Sequence, residues 1–277
     1  MSSTALNSTT VDHYALVASG NYSHAEGIDT IAFGEGSHSE GGYTITSGSY
    51  SHAEGFANDA SGEAAHAEGG NTTASGKNSH AEGYKTEANG ISSHAEGGNT
   101  TASSSYSHAE GSNTTASGSY SHAEGYNTTA SGQASHAEGS NTTASGDYSH
   151  AQGYDTTASG DSSHAEGEGT IAFGNGSHAE GGTFLIGGVT SGSSTHTLLD
   201  GTTVLINSTI ANGTAAHAEG AFTLAQGEGS HAEGAGTIAE GNLSHAEGNL
   251  TQAIGSYSHS EGGNTIASAN SSHAEGS

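Results

Sequence analysis

The residues with most chemical potential in this chain stand together in the segment Ser-His-Ala-Glu-Gly, as at Ser135–Gly139. Serine, histidine and carboxylate are the parts of a hydrolytic triad. His-x-Glu is also the first half of the zinc deaminase signature, and imidazole beside carboxylate is a donor set for a divalent transition metal. The first two readings fail on the sequence itself. In an extended strand alternate residues face opposite sides, so Ser135 lies across the strand from His136 and Glu138. Triads require mutual geometry, and a segment written seventeen times is not one active site. The deaminase signature needs a Pro-Cys-x-x-Cys partner, and the chain has no Pro and no Cys. No phosphate loop of the G-x-x-x-x-G-K type is present. The expectation is a chain that is not an enzyme and needs no cofactor, with a divalent metal on the imidazole–carboxylate ladder left open.

What positions these side chains is a period. The template S-H-A-E-G-x-x-T-x-A-x-G-x-x is fourteen residues long, and its histidine recurs at 24, 38, 52, 66, 80, 94, 108, 122, 136, 150, 164 and 178. It resumes at 217, 231, 245, 259 and 273, so seventeen of the nineteen histidines share one register. A period this strict means stacked structural repeats. Each repeat holds two alternating segments, SHAEG and TxAxG. Alternation puts Ser135, Ala137 and Gly139 on one side and His136 and Glu138 on the other. It likewise groups Thr142, Ala144 and Gly146 against Thr143 and Ser145. Only the small residues fit inside a tight coil, and the glycines are expected to supply positive φ at its corners. Glycine at this density disfavours helix by about 1 kcal/mol per residue relative to alanine. The spacing therefore predicts an all-β parallel solenoid, one flattened coil per fourteen residues. Coils ~4.8 Å apart would make a rod on the order of 80 Å.

Composition agrees. With 46 Gly, no Trp and 30% apolar residues, a core of large side chains is out of reach, and net charge −27 would suggest disorder were the period absent. Backbone ladders around small residues take the place of such a core. The only basic residues are Lys77 and Lys85, so nucleic acid and anionic lipid have no electrostatic footing. No run reaches membrane-span length, and the start MSSTALNSTTVDHYALVASG shows no Sec-type signal peptide.

Taken in order, residues 1–14 read as an arm and 15–182 as coils, opening on the half-turn LVASG at Leu16–Gly20. Residues 183–208 are an apolar insertion. His178 and His217 are 39 apart, 25 more than one repeat, and Asp200-Gly201 between THTLL and TTVLI reads as a hairpin turn. Residues 209–277 return to coils.

The S-x-A-x-G / T-x-A-x-G repeat resembles the head of trimeric autotransporter adhesins, the YadA-like head repeat, over roughly 15–181 and 209–277. The resemblance implies a left-handed parallel β-roll and a side-by-side homotrimer. This chain departs from the family where His and Glu replace its usual Val and Ile, and no neck, stalk or membrane barrel is read in these residues.

Sixteen of the seventeen in-phase histidines have Glu two places on, Gln152 being the exception. Uniformity of this kind fits one environment in every coil. The trimer-interface ladder is therefore assigned to His24, Glu26, His52, Glu54, His80, Glu82, His108, Glu110, His136, Glu138, His164, Glu166, His231, Glu233, His273 and Glu275. Charged pairing would raise the histidine pKa and lower the glutamate pKa, whereas burial would lower the histidine. The outward Thr143 and Ser145, echoed at Thr101/Ser103, Thr115/Ser117, Thr129/Ser131 and Thr157/Ser159, form a hydroxyl array. The first functional expectation is a structural, trimeric β-roll fibre, extracellular or on a cell or virion surface, that polymerises end to end. Its joint would use Val11, Tyr14, Leu16, Val17, His273, Glu275 and Ser277, because the chain ends on a SHAEG half-coil and begins on the complementary half. The alternatives are an adhesin or receptor-binding head contacting its ligand through 183–208, and an ice- or metal-binding repeat surface.

Overall fold

A computed structural model describes residues 16–182 and 208–277 in full and the backbone of 4–5, 194–197 and 203–206. It is an all-β parallel solenoid of about 17 coils, with no helix among the described residues. The coils group into two compact units, Met1–Ala134 and Ser135–Ser277. In each, a coil contributes one long strand, such as His80–Tyr84 or His164–Glu168, and one short strand, such as Thr101–Ala102 or Thr157–Ala158.

Within each unit the described coil strands pair in parallel with their equivalents one coil away. In the first unit His80 faces both His66 and His94, and Thr101 faces Thr115. In the second, His150 faces His164 and Thr143 faces Thr157. The corners join the ladder too: Asn99 N donates to Tyr84 O at 2.9 Å and Tyr106 N to Ile91 O at 2.8 Å. Nearly every backbone group is thereby paired around a core that is only one side chain wide.

That core is alanine and threonine. Ala81, Ala95, Ala144 and Ala158 are fully buried, as are Thr86, Thr100, Thr142 and Thr156. The serine before most of the histidines is buried as well, and several close their own corner, as where Ser149 Oγ donates to Gly146 O at 2.6 Å. Two coils replace the first-strand alanine with serine, and in both the new hydroxyl meets the core threonine: Ser39 Oγ lies 2.8 Å from Thr44 Oγ1, and Ser260 Oγ 2.8 Å from Thr265 Oγ1. In the second unit Leu224 and Ile238 are buried against Ile210 and Phe222, although their equivalents Thr143 and Thr157 are half-exposed.

The glycines meet the expectation in part. Some corners turn on glycine, as at Gly36 (64°) and Gly176 (63°), but most turn on non-glycine residues with positive φ, such as Asn71 (57°), Asn99 (55°), Tyr106 (60°) and Tyr148 (59°). Asparagine enters this region more readily than most residues, and tyrosine does so rarely. The glycine of TxAxG is required for a different reason: a Cβ on Gly62 would overlap the carbonyl oxygen of Gly76 in the next coil. The glycine of SHAEG has positive φ, 108° at Gly139, and there the alternation breaks. Gly139 is exposed rather than inward with Ser135 and Ala137.

The insertion leaves the ladder intact. His178 faces His217 and Thr170 faces Thr209, as though the extra residues were absent. Within it Ser194–Thr197 pairs antiparallel with Thr203–Ile206. Asp200-Gly201, expected to form the turn between them, lies outside the described residues.

Candidate functional site: the histidine–glutamate ladder

Alternation along each long strand buries the alanine and leaves the flanking histidine and glutamate half-exposed, for example at His80, Ala81 and Glu82. Parallel in-register pairing then stacks like on like. His66 and His80 have ring centroids 4.7 Å apart at 2°, and His94 and His108 4.9 Å apart at 1°. Across the insertion His178 stacks on His217 at 4.9 Å and 2°. Order fades at the outer coils, where His24 meets His38 edge-on and His259 and His273 tilt by 44°.

Most imidazoles turn Nε2 toward a carboxylate of their own coil, at 3.6 Å for His66–Glu68 and for His94–Glu96, and 3.3 Å for His164–Glu166. Some carboxylates also reach the next coil: Glu247 Oε1 lies 3.8 Å from His259, and Glu261 Oε1 3.5 Å from His273. Nε2 of His66, His80, His94 and His108 is shielded from solvent and makes no hydrogen bond. Beside the imidazoles runs a groove lined by the carboxylates Glu26, Glu40, Glu54, Glu68 and Glu82, with glycines 27, 41, 55, 69 and 83 between them. A similar groove runs past Glu233, Glu247, Glu261 and Glu275.

The electrostatics follow burial and like-charge crowding, not charged pairing. Burial, and then the neighbouring imidazoles, hold His38, His66, His94, His150 and His231 below the usual histidine value. Burial and the carboxylates of Glu54 and Glu82 push Glu68 up to about 7. Glu96 is raised mainly by burial, and Glu40 mainly by its hydrogen bond with Glu54, which is lowered in turn. At these five histidines the shift favours the neutral imidazole.

The assigned ladder residues lie on this one face of their own units. His52 and Glu54, His108 and Glu110, His136 and Glu138, and His231 and Glu233 sit in the same register as the pairs above. His273, Glu275 and Glu233 are exposed. Of the residues assigned to an end-to-end joint, Val11 and Tyr14 lie outside the described residues. Leu16 and Val17 are half-buried, and Val17 pairs with Ile31 in its own chain. Thr4–Ala5 pair with His24–Ala25, on the edge where a neighbour's half-coil would have to add.

The hydroxyl array is present on the short strands: Thr101, Thr115 and Thr129 are half-buried and in register, with Ser103, Ser117 and Ser131 exposed beside them. Sequence reasoning missed the aromatic corners. Tyr50, Tyr106, Tyr120 and Tyr148 occupy one template position and are exposed, and Tyr106 stacks on Tyr120 at 5.0 Å. Their shared place in the fourteen-residue period was the readable signal.

No curated protein matches the chain. The YadA head domain repeat matches residues 17–37, 25–51, 109–133, 123–149, 151–181 and 218–244. Those segments are the coils just described. Over those segments the chain carries YadA head domain repeats.

Proposed function

We propose that this chain is the non-enzymatic, side-by-side trimeric β-roll head of an adhesin-type surface protein, with the histidine–glutamate face between chains and the 183–208 insertion as its ligand contact. The family is a structural, adhesin-type domain and not an enzyme family. The buried serine hydroxyls agree, because Ser149 Oγ is bound to Gly146 O and faces away from His150.

The observation that carries the reading is the register across the insertion. His178 and His217 pair directly although 39 residues separate them. A rigid ladder that tolerates an apolar excursion without losing phase is a scaffold presenting a contact element. The trimer is supported by the shielded Nε2 atoms, which gain hydrogen-bond partners if a second face meets them. The location that follows is the cell surface or another extracellular surface.

Growth end to end into a filament is the second reading. It needs Thr4–Ala5 to leave the His24–Ala25 edge, so the adhesin reading takes precedence.

Removing residues 183–207 joins Gly182 to Ser208 and restores a regular coil from His178 to His217. Cells displaying the intact chain should adhere to a panel of matrix proteins and glycans. The deletion variant should keep its β-sheet spectrum and oligomeric mass but lose adhesion. Equal adhesion by both would remove the insertion from the contact, and long filaments in electron micrographs of the intact protein would favour the second reading.

A further inference from the structure

The ladder offers more than a contact between chains. Groups of two imidazoles and one carboxylate recur along it, including His66–Glu68–His80 and His94–Glu96–His108, with one ligand atom from each residue within 4.8 Å of the others. Within a group the closest approach is already set: Nε2 to Oε2 is 3.6 Å in both. Tetrahedral zinc with bonds of about 2.0–2.1 Å separates its ligand atoms by roughly 3.4 Å. Small side-chain rotations therefore bring a group onto one ion without moving the backbone.

The donor set selects the kind of cation. Mixed imidazole and carboxylate suits zinc-class ions, whereas calcium and magnesium take oxygen. The four histidines named carry solvent-shielded Nε2 atoms with no hydrogen bond, so a ligand lone pair is not already committed to a donor. Carboxylates stacked one coil apart, on a chain of net charge −27, further favour a divalent cation over a vacant ladder.

We infer that divalent transition-metal ions of the zinc class bind along this ladder, each held by the two imidazoles and one carboxylate of a His–Glu–His group. His80 belongs both to the group with His66 and to the group with His94, so adjacent groups cannot both fill. Occupancy alternates along the coils, with three protein ligands per ion and a fourth position for water or a neighbouring carboxylate. The ligands come from a single chain, so the inference stands independently of the trimer.

The test uses the full chain, stripped with chelator, dialysed at pH 7.5, and loaded with zinc sulfate alone or magnesium chloride alone. After removal of free ion, elemental analysis should find several zinc ions per chain and almost no magnesium. The variant His66→Gln/His80→Gln/His94→Gln/His108→Gln should lose about two of those ions, because the three groups these histidines form share members and hold two ions at most, with an unchanged circular dichroism spectrum. X-ray absorption at the zinc edge of the wild-type chain gives a readout that does not depend on the variant folding, and it should show imidazole scattering in the first shell. Retention of one zinc or fewer per chain, magnesium retained as well as zinc, zinc unchanged in a folded variant, or a first shell without imidazole would each overturn the inference.

Discussion

His150 Nε2 lies 3.8 Å from Glu138 Oε1, the carboxylate one coil back, because its own coil carries Gln152 in place of glutamate. Gln152 is not idle, since its Nε2 donates to Glu166 Oε2 at 3.2 Å. One amide thus places a donor within a column of acceptors. Gln152→Glu should replace that hydrogen bond with a repulsion. The expected cost at pH 8 is about 1 kcal/mol, modest because the site is partly solvated. Denaturant titration of both proteins checks it, and equal midpoints would contradict the assigned role.

Glu68 provides the converse. Its folded pKa of about 7 lies above the ordinary carboxylate value, so its contribution is fully present below about 4.5 and lost as pH rises through about 7. Glu68→Gln should raise the melting temperature at pH 8 and leave it unchanged at pH 4. The side chain is 33% exposed, so the gain stays under about 1 kcal/mol.

The histidines act in the opposite direction. His94 faces His80, His108, Glu82 and Glu96, and its pKa is lowered chiefly by burial. Its contribution is therefore present above about 6.5 and lost as pH falls through the lower folded value. His94→Gln should lose less melting temperature between pH 7 and pH 5 than the parent chain does. Identical slopes for the two would remove the imidazole from acid sensitivity.

Glycine positions separate by neighbour. Gly62→Ala places a methyl against the Gly76 carbonyl, an overpacking expected to cost about 1–3 kcal/mol. Gly98→Ala meets nothing within 4 Å and should be tolerated. Ser104 is the natural precedent. It takes the glycine position, and while Gly90 and Gly118 each donate a second hydrogen bond to an alanine carbonyl one coil on, at 3.3 Å, Ser104 makes none.

The threonine stack carries a removable defect. Thr100 Oγ1 is buried without a hydrogen bond, whereas Thr44 finds Ser39. Thr100→Val should be neutral or stabilising, and Ala95→Ser should give Thr100 the partner that Thr44 has, each by up to about 1 kcal/mol. A loss of more than that in either would show that the hydroxyl is satisfied in solution.

Much of the fold was legible because fourteen-residue spacing and two-residue alternation are direct readouts of coil length and strand face. Ala144 and Thr142 were placed inside on that basis, and His136 and Glu138 outside. What the sequence hid depends on neighbours one coil away. Gly62 reads like a corner glycine until the approach of Gly76 is seen, and Asn99 and Tyr106 do the turning instead. Charged pairing of His66 with Glu68 was as consistent with the spelling as the lowered imidazole and raised carboxyl found. Only the stacked geometry makes burial and like neighbours outweigh attraction. Burial of Leu224 and Ile238 was equally unreadable, since their template position faces outward elsewhere.

In the proposed trimer three chains meet through the histidine–glutamate face. Light scattering of the purified chain at pH 7.5 measures this most directly. The predicted mass is three times 27.1 kDa, falling toward one chain when Glu82, Glu110 and Glu138 are replaced by lysine. A folded protein whose mass stays at 27.1 kDa across the concentration range would contradict it.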